Sequence, residues 1–192
     1  RQGGHDWRRL AGSRLRAART QSFNLAAMAY SPTINGQALC LRPFGCDLIS
    51  ARYIGWLNDP VLMQYSRQRF LKHSVASCEA FANSFDNNSP SFFWAILAKE
   101  PTLGHIGNLT AIVDANNRVA ELTIMIGERN AHGKGLGLEA WQLAMDYLVE
   151  HAGIRKIAAG TMALNIPMIK IMQKTGMFED GLRSRHFLYQ DR

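Results

Sequence analysis

Hydrophobic and polar residues alternate in blocks along the chain, and these blocks predict strands and helices. The run "ALCLRPF" (38 to 44) predicts a short strand that the following Pro and Gly end. The apolar residues of 46 to 59 share one helical face: Leu48, Ile49, Tyr53, Trp56 and Leu57. Pro60 ends this predicted helix, and Ser74 is placed to cap a second helix over residues 75 to 85.

Three strand-like runs come next, at residues 92 to 98, 105 to 113 and 119 to 127. The turn-rich "DANNR" between the last two indicates a hairpin, so these strands are expected to be antiparallel. A helix reaching about Glu150 follows. Its predicted buried stripe consists of Leu136, Ala140, Leu143, Ala144, Tyr147 and Leu148.

The last part of the chain repeats the strand-then-helix order. "IRKIAAGTM" (154 to 162) predicts a strand, Asn165 caps a helix that ends at Gly176, and a final strand is expected within residues 178 to 189. This order predicts an α/β fold with a central, mixed and mostly antiparallel sheet flanked by helices.

Composition limits the interpretation to one small domain. With 192 residues, 47% of them hydrophobic, the chain can bury a single sizeable core. No apolar run approaches the roughly 20 residues of a membrane span, so no membrane association is expected. Three cysteines without a C-x-x-C pair favour reduced thiols and a cytoplasmic protein. The six histidines show no ligand spacing, so no metal site is predicted.

The formal charge of +7 is concentrated at the start of the chain. Residues 1–27 hold six arginines against one aspartate, and they show no clear hydrophobic period. We expect this stretch to be a disordered or non-native leader, and residues 28–192 to form the single domain. The alternatives for the leader are a transit-like peptide and a nucleic-acid-binding arm. Because only the second of these alternatives involves nucleic acid, nucleic acid is a disfavoured partner.

The stretch "RNAHGKGLGLEAW" (129 to 141) places three alternating glycines at the start of the long helix. A Rossmann fingerprint would need glycine where Leu138 stands. A Walker loop would need glycine at Glu128 and Ser or Thr at Gly135. With these two motifs excluded, two properties of the stretch favour an anion. Its glycine backbone can approach an anion closely, and the free N–H groups of a helix N-terminus carry partial positive charge. The pattern predicts a pyrophosphate site.

The segment "HGKGLG" resembles the coenzyme A pyrophosphate motif, Arg/Gln-x-x-Gly-x-Gly/Ala, of the GNAT superfamily of acyl-CoA N-acyltransferases. The upstream "AELTIMIG" and the downstream "ALNIPMIKIMQKTGMF" resemble other parts of that family's core, and the resemblance covers about residues 38 to 190. It extends to the ribosomal-protein alanine acetyltransferase-like branch. It implies a GNAT-type fold, acetyl-CoA as the coenzyme and transfer to a primary amine.

The resemblance also implies roles for single positions. Main-chain groups would hold the pyrophosphate at Gly133, Lys134, Gly135, Leu136, Gly137 and Leu138. His132 stands where arginine or glutamine is usual, and the Lys134 side chain adds charge. Main-chain groups of Met125 and Ile126 would meet the pantetheine arm. Asn165 would touch the coenzyme, although simple helix capping explains it equally well.

Transfer to an amine requires a proton acceptor, because a primary amine with a pKa near 10 is mostly ammonium at neutral pH. Glu121 resembles the glutamate that several family members use as the base. The alternative is an ordinary solvent-facing strand residue. Relatives place a Tyr or Ser proton donor where Met172 and Met168 stand here, so water or Thr161 is left for that role. These methionines motivate an alternative function, a non-catalytic acyl-CoA-binding or sensing protein.

The acceptor side is less defined by sequence. Four residues of "QYSRQRFLKHS" are expected to border the acceptor and to bind an anionic substrate: Tyr65, Arg67, Arg69 and His73. The alternative is that these residues form a solvent-exposed basic loop between two helices and bind no substrate. An amino sugar nucleotide, another small amine and a protein N-terminus remain open as acceptors. The chain stops at "YQDR", where relatives turn into a closing strand; either the native end is missing or an unpaired edge favours a homodimer.

Overall fold

The computed structural model describes residues 31–85 and 89–189. The predicted leader over residues 1–27 lies outside this part. The strands are β1 (Ile34–Asn35), β2 (Leu39–Pro43), β3 (Phe92–Ala98), β4 (His105–Asp114), β5 (Val119–Ile126) and β6 (Lys156–Ala158). The α-helices are α1 (Ala51–Leu57), α2 (Val75–Asn83), α3 (Leu136–Glu150) and α4 (Ile166–Lys174).

The described strands form one sheet in the order β1-β2-β3-β4-β5-β6. Each neighbouring pair from β1 to β5 is antiparallel, and β6 is parallel to β5. The predicted α/β fold, with a mixed and mostly antiparallel sheet flanked by helices, is therefore confirmed. None of the described helices is long and apolar enough to cross a membrane.

The two faces of the sheet pack against different helices. Alternate residues of β3 to β5 point to the α3 side and form the main core, in which Trp94, Leu109 and Trp141 are fully buried. On the other face a smaller cluster of Tyr53, Trp56 and Cys78 packs with Met125 of β5. Side chains of odd-numbered residues in β5 therefore face the α1 and α2 side.

Local capping explains where two of the helices begin. The Ser50 hydroxyl accepts the Tyr53 N–H at 3.2 Å, so α1 starts after it, and residues 46–48 form a separate 3-10 turn instead of the predicted continuous helix. Ser74 caps α2 as predicted, and its own N–H donates in return to the Ser77 hydroxyl oxygen at 2.9 Å.

The prediction of a final strand within residues 178 to 189 is wrong. Residues 175–189 contain no strand, and β6 is shorter than the predicted 154 to 162. Side chains hold this segment in place of a ladder: Lys156 pairs with Asp180 at 2.6 Å, and the Arg69 guanidinium donates to the Leu188 carbonyl at 2.6 Å. Arg185 has a φ of 52°, which also breaks an extended conformation.

A buried histidine makes the stability of this fold depend on pH. His105 lies among the rings of Phe44, Tyr53 and Trp56, and its Nε2 bonds to the Gly107 carbonyl at 2.9 Å. Burial is the main cause that lowers the pKa of His105 from 6.5 to about 4. The native state therefore favours the neutral ring, while the unfolded chain takes up a proton below pH 6.5.

We expect the free energy of unfolding to fall as the pH drops from 6.5 towards 4, by up to about 3 kcal/mol from this one group. Urea unfolding at several pH values would measure this loss. His105→Gln should remove much of the dependence in that window, whereas the same change at exposed His151 should keep it. An unchanged slope in the His105 variant would contradict the assignment.

Candidate functional site

A gap opens in the sheet between β5 and β6. The two strands pair only at Val119, Ala120 and Glu121, opposite residues 156–158. The rest of β5, from Leu122 to Ile126, continues along β4 but has no partner on its β6 side. This stretch leaves an open strand edge inside the fold, of the kind to which an extended ligand can add.

The glycine turn, residues 132–135, follows the open edge after a short 3-10 turn at Arg129–Ala131 and leads into α3. Gly133 and Gly135 have φ values of 75° and 81°, the left-handed region that glycine adopts without steric cost. No side chain caps α3, and the N–H groups from Gly133 to Leu138 donate to no acceptor within the described ranges. Six unused donors at the positive end of a helix dipole have the geometry and partial charge that suit an anion.

Both polar side chains of the turn have partners. The His132 Nε2 contacts the Ile126 carbonyl at 2.8 Å, which ties the turn to the end of β5. The Lys134 ammonium lies 3.4 Å from a Glu100 carboxylate oxygen, and both side chains are about half exposed. An exposed pair of this kind contributes little to stability, so Lys134 is available to a bound anion at small cost.

The two predicted pantetheine contacts face opposite ways. The Met125 carbonyl is directed at β4, where a Cβ on Gly107 would collide with it. The Ile126 carbonyl faces the open edge, where His132 contacts it. The N–H and C=O groups of one strand residue point to the same side of the strand, so the Ile126 N–H also faces the open edge. This direction alternates along a strand, so the Ile124 N–H faces the open edge as well.

Glu121 lies at the closed end of the gap. It is exposed and belongs to the last paired position of β5 with β6, opposite Ala158. Four residues of strand, or about 13 Å, separate it from Met125 on the same sheet face. A carboxylate placed there can receive a proton from a group held at the open edge, directly or through water.

The asparagine predicted to touch the coenzyme also has internal partners. The Asn165 Oδ1 accepts the Met168 N–H at 3.4 Å as the cap of α4, and its Nδ2 donates to the Thr161 hydroxyl at 3.0 Å. Met168 and Met172 lie on α4, and neither side chain can donate a proton. The Thr161 hydroxyl proton remains available.

Three of the four predicted acceptor residues contact residues 187–189. Tyr65 stacks on Tyr189 with ring centroids 6.0 Å apart, and the Arg67 guanidinium lies 5.9 Å from the Phe187 ring. Arg69 donates to the Leu188 carbonyl. A shallow hollow lies between the two segments, with Arg67, Arg69 and His186 in its wall. The structure does not bring His73 into this group; Asn58 bonds both of its main-chain groups.

Sequence reasoning missed two features near the site. Arg129 pairs with Asp59 at 2.6 Å, and this hydrogen bond is the main cause that holds the pKa of Asp59 below its usual range. The pair joins the end of α1 to the segment before the glycine turn. Asn108 carries a buried Oδ1 without a partner among the described residues, on the sheet face that Glu121 shares. An asparagine within an apolar strand was the available signal.

The described residues contain no group of three or more His, Cys, Asp or Glu side chains placed to hold a metal ion. A family model of the acetyltransferase (GNAT) domain matches residues 38–178. The chain belongs to the GNAT acetyltransferase family. The match covers both the open edge of β5 and the glycine turn.

Solved structures share this GNAT fold at low sequence identity. An acetyltransferase (GNAT family) from Bacillus anthracis gives a TM-score of 0.70 at 16% identity, covering 83% of this chain and 91% of that chain. The spermidine/spermine N-acetyltransferase SpeG from Vibrio cholerae gives 0.67 at 21%, covering 82% and 89%. RimL, a ribosomal alpha-N-protein acetyltransferase in complex with coenzyme A, gives 0.72 at 13%, covering 83% and 91%. At these identities the likeness shows the fold alone.

Proposed function

We propose that this protein transfers an acetyl group from acetyl-CoA to a primary amine by direct attack, without a covalent enzyme intermediate. One observation carries the proposal: six unused main-chain donors at the start of α3 lie next to an open strand edge. The donors suit a pyrophosphate, and the edge suits an amide-containing arm such as pantetheine. Acetyl-CoA, when bound, supplies an activated thioester.

Each step of this mechanism uses groups of the chain itself. The amides from Gly133 to Leu138 hold the pyrophosphate. A main-chain N–H of Ile124 or Ile126 on the open edge polarises the thioester carbonyl. Glu121 removes the proton from the ammonium of the acceptor, so that the free amine attacks. As the nitrogen would bond to the acetyl carbon, the C–S bond would break, and the second proton lost by the nitrogen would pass through Thr161 or water to the leaving thiolate, which with a thiol pKa near 8.5 needs little assistance.

We further propose a small anionic amine, such as an amino sugar nucleotide, as the acceptor class. The hollow beside the α1 to α2 connection supports this, since arginine side chains in its wall can pair with phosphate. A protein N-terminus is the second class, as in the ribosomal-protein alanine acetyltransferase-like branch. RimL and SpeG show that proteins of this fold act on ribosomal protein and on polyamine respectively.

A panel of amines tests the proposal. The amines are an amino sugar nucleotide, spermidine and a peptide with a free N-terminus. Each is combined with purified protein and acetyl-CoA, and the release of free thiol is measured. Calorimetry with acetyl-CoA runs in parallel. Thiol release above the amine-free rate supports transfer. Binding without release on any amine would favour the sensing function instead, and absence of binding would overturn both.

Loss of the two arginines should weaken acceptor binding. We expect Arg67→Ala with Arg69→Ala to raise the acceptor KM about tenfold or more, because two charge-assisted contacts to an anion are lost. The affinity for coenzyme A should stay unchanged. The comparison is the KM of an uncharged amine, which should change little in the same variant. An equal KM for the anionic acceptor in variant and wild type would support a solvated basic connection.

A further inference from the structure

Three polar side chains beside Glu121 lie on one face of the sheet with unused hydrogen-bonding groups. They are Asn108 and Thr110 on β4 and Thr123 on β5, and we call them the polar patch. Asn108 lies opposite Met125 in the ladder, and Thr110 lies opposite Thr123, so the patch shares the α1 and α2 face with Glu121. Neither the patch side chains nor Glu121 form a hydrogen bond or an ion pair with the residues that the structure describes.

Asn108 gives the clearest indication of a ligand. Its Oδ1 is buried without a partner among the described residues, whereas most buried polar atoms in proteins have one. The residue as a whole is half-buried, and its β3 neighbour Ala95 adds only a methyl group beside it. No internal bond fixes the carboxamide, and its terminal torsion is soft, so the amide can turn towards a ligand on this face.

The side chains of the patch suit a neutral polar group. A carboxamide offers both a donor and an acceptor, and a hydroxyl group offers the same pair, so the patch matches hydroxyl groups of a ligand. Arg42 lies in the same row of the sheet as Asn108, but its guanidinium pairs with Asp47 at 2.8 Å. Its charge is therefore already used, and the patch itself carries none.

The patch lies between the two places that the proposed reaction uses. Met125, at the open end of β5, is in the same row as Asn108, and Glu121 lies one row beyond the pair of threonines. An amine held between Glu121 and a thioester at the open edge would therefore have its neighbouring atoms over the patch.

We propose that the polar patch binds hydroxyl groups of the acceptor and that Asn108 selects acceptors with a hydroxyl close to the amine. The inference rests on the proposed function, which places the acceptor beside Glu121. The acceptor class is thus a hydroxylated amine. Spermidine has no hydroxyl group and would cover the patch without satisfying it, at a cost in binding.

Paired acceptors that differ by one hydroxyl group test the proposal on the full chain. One pair is an amino sugar nucleotide and its analogue with hydrogen in place of the hydroxyl beside the amine. The other pair is a peptide with N-terminal serine and the same peptide with N-terminal alanine. For the pair that the wild-type protein acetylates, we expect kcat/KM to be about tenfold or more higher with the hydroxyl group.

Asn108→Leu keeps the approximate size of the side chain and removes both of its hydrogen-bonding groups. We expect it to lower kcat/KM about tenfold for the hydroxylated acceptor and to change little for its partner, so that the preference is lost. The calorimetric affinity for coenzyme A should stay unchanged.

Urea unfolding gives a second readout that needs no acceptor. Asn108→Leu should raise the urea midpoint, because it removes a buried polar atom that has no partner. Asn117→Leu is the matched control, since the Asn117 Nδ2 donates to Asp114 at 2.7 Å in the turn between β4 and β5. That variant should lower the midpoint and keep the wild-type preference between the paired acceptors.

The contrary results are distinct from one another. A lower urea midpoint in Asn108→Leu would show that the amide supports the fold, and it would overturn the proposal. Equal wild-type kcat/KM within each pair, or acetylation of spermidine alone, would overturn it while leaving the proposed function intact. Release of thiol with none of the amines would end the proposed function and this inference with it.

Discussion

Glu121→Gln is expected to lower kcat by about 10²-fold or more, within the range of 10² to 10⁴ typical of a lost general base. The amide keeps the shape of the side chain but cannot accept the proton of an ammonium group. Coenzyme affinity should not change, because the pyrophosphate donors lie beyond the other end of the open β5 edge. Steady-state kinetics and calorimetry on the same samples separate the two effects.

The pH profile gives a second readout for Glu121. Without a base, turnover should continue to rise with pH towards the amine pKa of about 10, since only free amine can attack. Glu150→Gln, at the exposed end of α3, is the control and should behave as wild type. Wild-type turnover of Glu121→Gln across the pH range would remove this residue from the mechanism.

Replacement of both left-handed glycines should weaken coenzyme A binding about a hundredfold. An alanine in the left-handed region costs roughly 1–2 kcal/mol, and Gly133→Ala with Gly135→Ala imposes this cost twice. Open space surrounds both positions, so strain and not collision is the cause. The free loop can relax away from the strained conformation, and binding must restore it, so the cost appears in the Kd.

Gly55→Ala is the matched control for that double variant. Gly55 lies within α1 with open space around it and without a positive φ. Alanine there should leave coenzyme affinity unchanged and raise the stability by about 0.5–1 kcal/mol, the usual gain within a helix. Unchanged calorimetric affinity in the double glycine variant would argue against main-chain binding of the pyrophosphate.

Local signals let the sequence predict much of the fold. Ser74 and Asn165 cap α2 and α4 because an N-cap acts within three residues of its own position. The strands at 92 to 98 and 105 to 113 follow from apolar patterning, and β3 has the predicted bounds. The glycine spacing predicted a turn at a helix start, and the left-handed φ values there agree with it.

Contacts between distant residues account for what the sequence did not predict. Arg69 and Leu188 are 119 positions apart, and their bond helps hold the end of the chain where a strand was expected. Trp141 is fully buried but does not belong to the predicted α3 stripe, because its burial depends on how the helix lies on the sheet. Arg129 and Asp59 are 70 positions apart, so the sequence around one of them does not predict its pairing with the other.

The early separation of β6 from β5 has a structural consequence. Only three residue pairs join β6 to β5, and α4 is held separately, since its Met168 and Ile171 side chains pack against the main core. A coenzyme arm lying in the gap would take the place of the missing ladder beside residues 122–126 of β5. The bound coenzyme would thus fill the gap in the sheet and also carry the acetyl group.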